Sequence, residues 1–316
     1  MLMIPTLFVV TALIFFLVRL IPGDIIDSMQ LHLTEEKIDR AALERSLGLD
    51  VPAVVQYGRW IGILPGVDGS FSGIFQGNLG NSWWLRTSVV ELVALKWPVT
   101  LQLGLMGLVI AQLIALPIGI FSAIRQDTAG DYLGRSLGIL CIAVPGFWLG
   151  TLVIVYPSIW WGYMPPIMLI HFLKDPVGNL RMFIAPALVL GMALAGVTMR
   201  MIRTMMLEVL RQDYIRTAWA KGLKEKVVIL RHALKNALIP VISTVGLQVP
   251  VLVGGTVIIE QIFSLPGMGR LLINATLGRD HPLVSGVIFI FASALIVINL
   301  MVDLTYGLLN PRIHYK

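Results

Sequence analysis

Glu208 to Pro240 reads EVLRQDYIRTAWAKGLKEKVVILRHALKNALIP, a basic stretch between two long apolar runs. Its apolar residues are spaced for a helix. Val209, Leu210, Tyr214, Ala218 and Trp219 share one helical face, with Arg211, Arg216 and Lys221 turned away from it. Gly222 interrupts the pattern. A second stretch begins at Leu223, with Val227, Val228, Leu230, Ala233 and Leu234 apolar and Lys224, Lys226, Arg231 and Lys235 polar. Two short amphipathic helices meeting at a glycine predict a protruding elbow. Such an elbow suits docking into a groove on a partner. The same pattern also suits a basic loop lying on anionic lipid.

On either side of this elbow the chain is apolar. Its 316 residues are 57% hydrophobic and 13% charged, with a mean hydropathy of +0.84. A soluble domain carries about a quarter charged residues, so this composition indicates a membrane protein. About 20 apolar residues are needed to cross the bilayer. Met1–Val18, Pro98–Ile124, Ser136–Leu173, Met182–Met199, Asn236–Ile259 and His281–Val302 qualify, the third with an irregular Trp- and Pro-rich end. The expected fold is therefore an all-α membrane protein of about six transmembrane helices. It is read as one transmembrane domain, 1–316, with core spans over 98–305. Met1–Val18 is read as a first span and not as a signal peptide, because no charged n-region precedes it and no small-residue cleavage site follows it.

Orientation follows from the basic residues. Between spans four and five stand Arg200, Arg203, Arg211, Arg216, Lys221, Lys224, Lys226, Arg231 and Lys235, against Glu208, Asp213 and Glu225. That loop, 208–236, and both termini are expected in the cytoplasm, and 22–97 outside. The net charge of +6 is thus a membrane-topology signal and does not point to nucleic acid. Within 22–97, Thr34–Leu47 (TEEKIDRAALERSL) predicts a short amphipathic helix with Gly48 at its C-terminal cap. Pro65–Asn81 reads as loop, and Trp83, Trp84 and Trp97 are placed for an interfacial belt. The single cysteine, Cys141, rules out an internal disulfide framework and reads as a small buried residue.

Arg216–Gly222 (RTAWAKG) followed by Leu230–Pro240 (LRHALKNALIP) resembles the cytoplasmic coupling-loop motif of ABC importer permeases, in the form found in the dipeptide/oligopeptide/nickel branch. The general motif has Glu-Ala-Ala, three residues, then Gly; here Arg216, Thr217 and Ala218 hold the first three positions and Gly222 the last. Other stretches agree in order: VRLIPGD (Val18–Asp24), LGLD with Pro52 (Leu47–Asp50), GNLGNSW (Gly77–Trp83), EQIFSLPGMGRLL (Glu260–Leu272), RDHPLV (Arg279–Val284) and NPRIHY (Asn310–Tyr315). The family usually has a basic arm before span one, and here Met1 stands almost inside the apolar run.

The resemblance implies an uptake permease of a bacterial or archaeal inner membrane, carrying di- or oligopeptides; nickel, opines or oligosaccharides are alternatives within the same machine. It implies a second homologous permease, two cytoplasmic ATPase subunits that hold ATP and Mg, an extracytoplasmic solute-binding protein, and surrounding membrane lipid. No nucleic acid is expected, and no cofactor, metal or catalytic residue on this chain. The chain has no Gly-x-x-x-x-Gly-Lys phosphate loop, and His32, His171, His232, His281 and His314 are scattered. The coupling residues implied are Tyr214, Arg216, Thr217, Ala218, Ala220, Lys221, Gly222 and Leu223. Gly222 would allow the turn between the two helices, and Ala218 a close approach to the ATPase groove.

Pathway or gate candidates are Pro250, Gly254, Gly255, Glu260, Pro266, Gly267, Asn299 and Asp303. For Glu260 and Asp303 an interfacial position at a span end is equally compatible with the pattern. Ser264–Gly269 (SLPGMG) reads as a tight outward loop, either a gate or a passive connector. Gly134-x-x-x-Gly138 and Gly146-x-x-x-Gly150 are weak helix-packing motifs. The methionines from Met192 to Met206 suit packing, with an adaptable substrate lining as the alternative.

Overall fold

The computed structural model describes residues 3–20, 26, 39–164, 166 and 168–309. Among these the chain is built from helices and turns, with one isolated bridge between Asn81 and Ser88. The helices are α1 (Met3–Val18), α2 (Arg40–Ser46), α3 (Ala53–Ile61), α4 (Val89–Ile124), α5 (Ala129–Ala143), α6 (Gly146–Trp161), α7 (Pro176–Leu210), α8 (Asp213–Ala220), α9 (Glu225–Ile262), α10 (Met268–Leu277) and α11 (His281–Leu309). By length and composition α4, α7, α9 and α11 can each cross a bilayer, and α5 with α6 makes a fifth span if the bent pair counts as one. The remaining expected span corresponds to α1, apolar but only 16 residues long.

The expected spans differ from the observed helices mainly at their ends. α4 starts at Val89 rather than Pro98, and α7 extends past Met199 to Leu210, so Arg200 and Arg203 lie on a helix and not in a loop. Asp175 and Pro176 fix the start of α7. The Asp175 carboxylate accepts the Gly178 N–H at 2.9 Å, and Pro176 occupies the first turn, where its missing N–H costs nothing. The third expected span is broken. α5 and α6 meet at 94° because Pro145 forces Val144 into extended backbone (φ −81°, ψ 119°), which ends α5.

The structure divides into two compact units. One comprises 99–265 with 297–316. Its core lies along α7, where glycines bring neighbouring backbones together. A Cβ added at Gly191 would sit 2.5 Å from the Gly107 carbonyl oxygen of α4, and one at Gly196 2.6 Å from that of Gly138 on α5. Gly138 thus serves helix contact. Gly146 meets nothing within 4 Å, and Gly150 only ordinary neighbours. Cys141 is buried in this core.

The other unit comprises 1–98 with 266–296. α2 begins at Arg40 with Asp39 capping the Ala41 and Ala42 N–H groups, later than the expected start; Thr34 and Lys37 lie outside the described residues. Ala41 and Ala42 on this helix are exposed, while Leu47 at its end is half-buried. Gly48 ends α2 at φ +68°, with Gly48 N–H to Arg45 O and Leu49 N–H to Glu44 O, a left-handed closing turn. Two stretches far apart in sequence meet here. Ser82 of GNLGNSW donates to the Asp280 carboxylate of RDHPLV at 2.5 Å, and Trp84 Nε1 donates to Gly278 O at 2.6 Å. Asp280 in turn accepts the Leu283 N–H at 3.3 Å, which caps α11. Trp83 turns inward onto His281, their rings 5.3 Å apart, so of the neighbouring pair only Trp84 keeps an exposed position.

Candidate functional site: the elbow between α7 and α9

The elbow is shorter and more firmly held than the sequence pattern suggests. Val209 and Leu210 complete α7, and the chain turns at Arg211 and Gln212 into α8. The residues that α8 turns inward are Ile215, fully buried, and Ala218. Tyr214 and Trp219, expected on the buried face, are exposed. Ala218 therefore packs against its own chain and presents no small surface to a partner. Ile215 was missed because the periodicity admits two neighbouring faces, and only the direction in which α7 ends selects one.

Ile215 and Ala218 pack into a core with Ile202 and Met206 of α7 and Val228, Ile229 and Ala233 of α9. The methionines here serve packing, with Met206 fully buried. The second expected helix is not a separate piece. It is the beginning of α9, which runs without a break from Glu225 to Ile262. Val228–Ala233 is a π-helical turn, which buries Val228, Ile229 and Ala233 while leaving Leu230 and Arg231 outside.

Between α8 and α9 the chain closes in a Schellman turn. Gly222 N–H donates to Trp219 O at 2.9 Å and Leu223 N–H to Ala218 O at 3.4 Å. Gly222 has φ +74°, and nothing lies within 4 Å of the place where its Cβ would be. Glycine is needed there for its backbone conformation and not for space. A polar clasp closes the back of the elbow: Asn236 Nδ2 donates to the Tyr214 hydroxyl at 2.8 Å, and that hydroxyl donates to His232 O at 3.4 Å. Arg216, Thr217, Trp219, Ala220, Lys221 and Gly222 remain exposed, with Arg216 only 3.5 Å from Asp213 in a solvated pair. The elbow thus shows one cationic, partly aromatic outer face on a support fixed from behind.

Residues 115–315 match the family described as binding-protein-dependent transport system inner membrane component, and residues 2–104 match the companion N-terminal family. The chain belongs to this permease family. The permease is 39% identical to a putative peptide transport system permease protein of Brucella suis biovar 1, over 99% of this chain and 96% of that protein. It is 36% identical to the dipeptide transport system permease protein of Escherichia coli strain K12, over 100% and 97%. A glutathione transport system permease protein of Salmonella paratyphi A is also 36% identical, over 99% and 96%. Among solved structures the fold is similar to an inward-facing MetNI methionine ABC transporter, with TM-score 0.57 and 15% identity over 70% of this chain and 97% of that one. An amino acid ABC transporter gives TM-score 0.53 and 14% identity over 69% and 94%. The permease is a multi-pass membrane subunit of a binding-protein-dependent importer of the ABC class.

The other candidates of the permease stand in differing surroundings. Glu260 is fully buried and accepts a hydrogen bond from the Thr100 hydroxyl at 2.6 Å, so its side chain is inside the protein. Gly255 and Gly254 face different ways. A Cβ at Gly255 would come within 2.9 Å of Leu190 Cδ1, whereas Gly254 meets nothing within 4 Å and lies with exposed Leu247, Val251 and Ile258 along one face of α9. Pro250 is half-buried. Gly255 also borders a cavity of about 230 Å³, lined by apolar groups of α6, α7 and α9 such as Leu194 and Val251. Ser264–Gly267 is a tight turn drawn into the protein, with Leu265 and Gly267 buried and Pro266 partly so. Gly267 caps α10, a helix the sequence did not reveal, whose first residue Met268 is also buried. Asn299 is exposed on α11, and the side chain of Asp303 lies outside the described residues, as do His32, His314 and Asn310–Tyr315.

Three buried polar groups escaped the sequence pattern. Asp131 of α5 receives Arg203 of α7 through two parallel bonds of 2.8 Å, Nε to Oδ1 and Nη2 to Oδ2, and also the Ser122 hydroxyl of α4. Gln248 of α9 donates to Thr198 Oγ1 at 3.0 Å and to Leu194 O at 3.3 Å. Asn179 of α7 accepts from Gln102 of α4 and donates to Ile170 O at 2.6 Å. A single acid or amide in an apolar run is visible in sequence, but its partner is not.

Proposed function

We propose that this chain forms half of the translocation pathway of an importer for di- or oligopeptides, and that the elbow carries the motion of partner ATPases into the spans. The observation that carries the proposal is the elbow itself: α8 fixed from behind by Ile215, Ala218 and Tyr214, with Arg216, Thr217, Trp219, Ala220, Lys221 and Gly222 on its outer face. The names of the relatives, for peptide, dipeptide and glutathione transport, favour the peptide class over nickel, opines or oligosaccharides. In this proposal 1–316 acts as one permease domain, with 22–97 as an extracytoplasmic cap and both termini in the cytoplasm. ATP and Mg are held by two separate ATPase subunits, a second homologous permease completes the path, and a solute-binding protein delivers substrate.

When ATP draws the ATPases together, the docked elbow moves with them. The continuous helices α7 and α9 convert that displacement into a tilt of whole spans. Leu223 closes the turn that sets the angle of α8, so the motion is transmitted and not absorbed. Gly254, on an open face of α9, allows close approach of the second permease, while Pro250 and Gly255 let α9 bend next to the apolar cavity. Glu260, Pro266, Gly267, Asn299 and Asp303 are assigned to the pathway or its gate.

The test is whether the chain, purified in mild detergent, brings ATPase subunits with it, and whether dipeptide uptake by the whole complex fails in Trp219→Ala with Arg216→Glu. Loss of association or of uptake supports the proposal. If no ATPase co-purifies and the substitutions leave uptake unchanged, the loop lying on anionic lipid becomes the better account.

A further inference from the structure

The unit formed by 1–98 and 266–296 contains a cavity of about 220 Å³ that plays no part in the elbow. Its walls come from the end of α1, from α3, from the glycine-rich segment after α3 and from the first turns of α11. Two guanidinium groups line it, those of Arg19 and Arg59, and no aspartate or glutamate does among the described residues.

Arg19 lies mostly out of water. Among the described residues its charge is met by neutral groups: Nη2 and Nε donate to Gln56 Oε1 at 2.7 and 3.2 Å, Nη1 donates to Phe15 O at 3.2 Å, and the guanidinium lies 3.4 Å from the centre of the Phe15 ring. Burial pushes this group down to about 10, which leaves it charged at neutral pH. A buried cation without an acid partner is costly unless something neutralises it. Two further lining residues carry buried polar atoms without a partner, Nε1 of Trp60 and Oγ of Ser285, the latter on a side chain only 2% exposed. Both can donate a hydrogen bond.

Two planar cationic forks, an indole N–H and a hydroxyl around a small cavity are the donor set that oxyanions take, since carboxylate and phosphate accept several short charge-assisted bonds at once. We propose that this cavity binds a small oxyanion, a carboxylate or a phosphate. The site is separate from the elbow and does not rest on the transport proposal, because it concerns binding by this chain alone.

The experiment is calorimetric titration of the full chain in nanodiscs of zwitterionic lipid, with dialanine, dialanine amide and inorganic phosphate as the three probes. Dialanine or phosphate should bind while the amide, which lacks the carboxylate, should not. The tighter of the two anions identifies the source. Arg59→Gln should weaken that binding about tenfold, and Ser285→Ala, which removes only a hydroxyl, by about fivefold, the order expected for losing one charge-assisted hydrogen bond. Arg59→Lys should restore only part of the affinity, because a point charge replaces the fork. Equal binding of dialanine and its amide overturns the proposal. So does the absence of binding for both anions at millimolar concentration, or affinity unchanged in both Arg59→Gln and Ser285→Ala.

Discussion

Arg203 on α7 grips Asp131 on α5 through two parallel hydrogen bonds of 2.8 Å. The carboxylate is completely buried and the guanidinium is one-fifth exposed, so the pair is screened little by water. Removing one partner leaves the other charged and buried. Asp131→Asn or Arg203→Gln alone should cost about 3 kcal/mol. The double substitution should cost little more than the worse single one. Thermal unfolding of the three variants in detergent measures this, and strictly additive losses would show that the two groups do not act as a pair.

Gly222 needs φ +74° but has open space around it. Substitution should therefore be graded by backbone preference and not by size. Gly222→Asn should be tolerated best, Gly222→Ala should cost about 1 kcal/mol, and Gly222→Val should be worst, since β-branched residues avoid this region. Coupled uptake by the assembled transporter should follow the same order. A ranking by side-chain volume would instead mean that a partner fills the space.

Ile215 and Trp219 lie four residues apart on α8 and should behave oppositely. Ile215→Ala empties a fully buried position and should cost about 2–4 kcal/mol of local stability. Trp219→Ala removes an exposed ring and should leave the melting temperature unchanged while weakening association with the ATPases. Hydrogen exchange over α8, together with co-purification, separates the two effects. Equal loss of protection in both variants would contradict this division.

Gly191 and Gly254 give a contrast in packing. Gly191→Ala would put a methyl 2.5 Å from the Gly107 carbonyl oxygen, against backbone that cannot rotate away, and should cost roughly 1–3 kcal/mol. Gly254→Ala meets nothing within 4 Å, so the isolated chain should melt unchanged, with any effect confined to the assembled complex. Melting curves of the two single variants decide the matter.

Ser82 and Asp280 join two sequence stretches nearly two hundred residues apart. Ser82→Ala leaves a buried carboxylate short of a donor and should cost about 2 kcal/mol, the upper range for a hydrogen bond to a charged group. The loss should appear as faster exchange of the Leu85 N–H, which donates to Ser82 Oγ at 3.0 Å. Unchanged exchange there would mean that the two stretches are held together by other contacts.

Much of this architecture was legible in the chain before any coordinate. A long apolar run fixes a helix in a bilayer because every N–H and C=O must be satisfied within it. Gly222 was recognisable as the stop of α8 because the Schellman turn is a local structure with a local signature. The break of the third span at Pro145 could not be read from the proline alone, because Pro157, Pro186, Pro240 and Pro250 lie inside continuous helices. Nor could the continuation of the second elbow helix into α9, because Leu234–Pro240 carries no signal that separates a short amphipathic helix from the first turns of a long one.

The sequence by itself determined an all-helical membrane chain, the place of the elbow and the basic character of its outer face, because composition, periodicity and turn chemistry depend on near neighbours. Tertiary structure alone decided that Ile215 and Ala218 face inward, that Asp131 belongs to Arg203 and Ser82 to Asp280, and that Arg19 and Arg59 share one cavity. These relations depend on where one helix leaves another and on which backbones glycine allows to touch, and no spacing along a single segment encodes them.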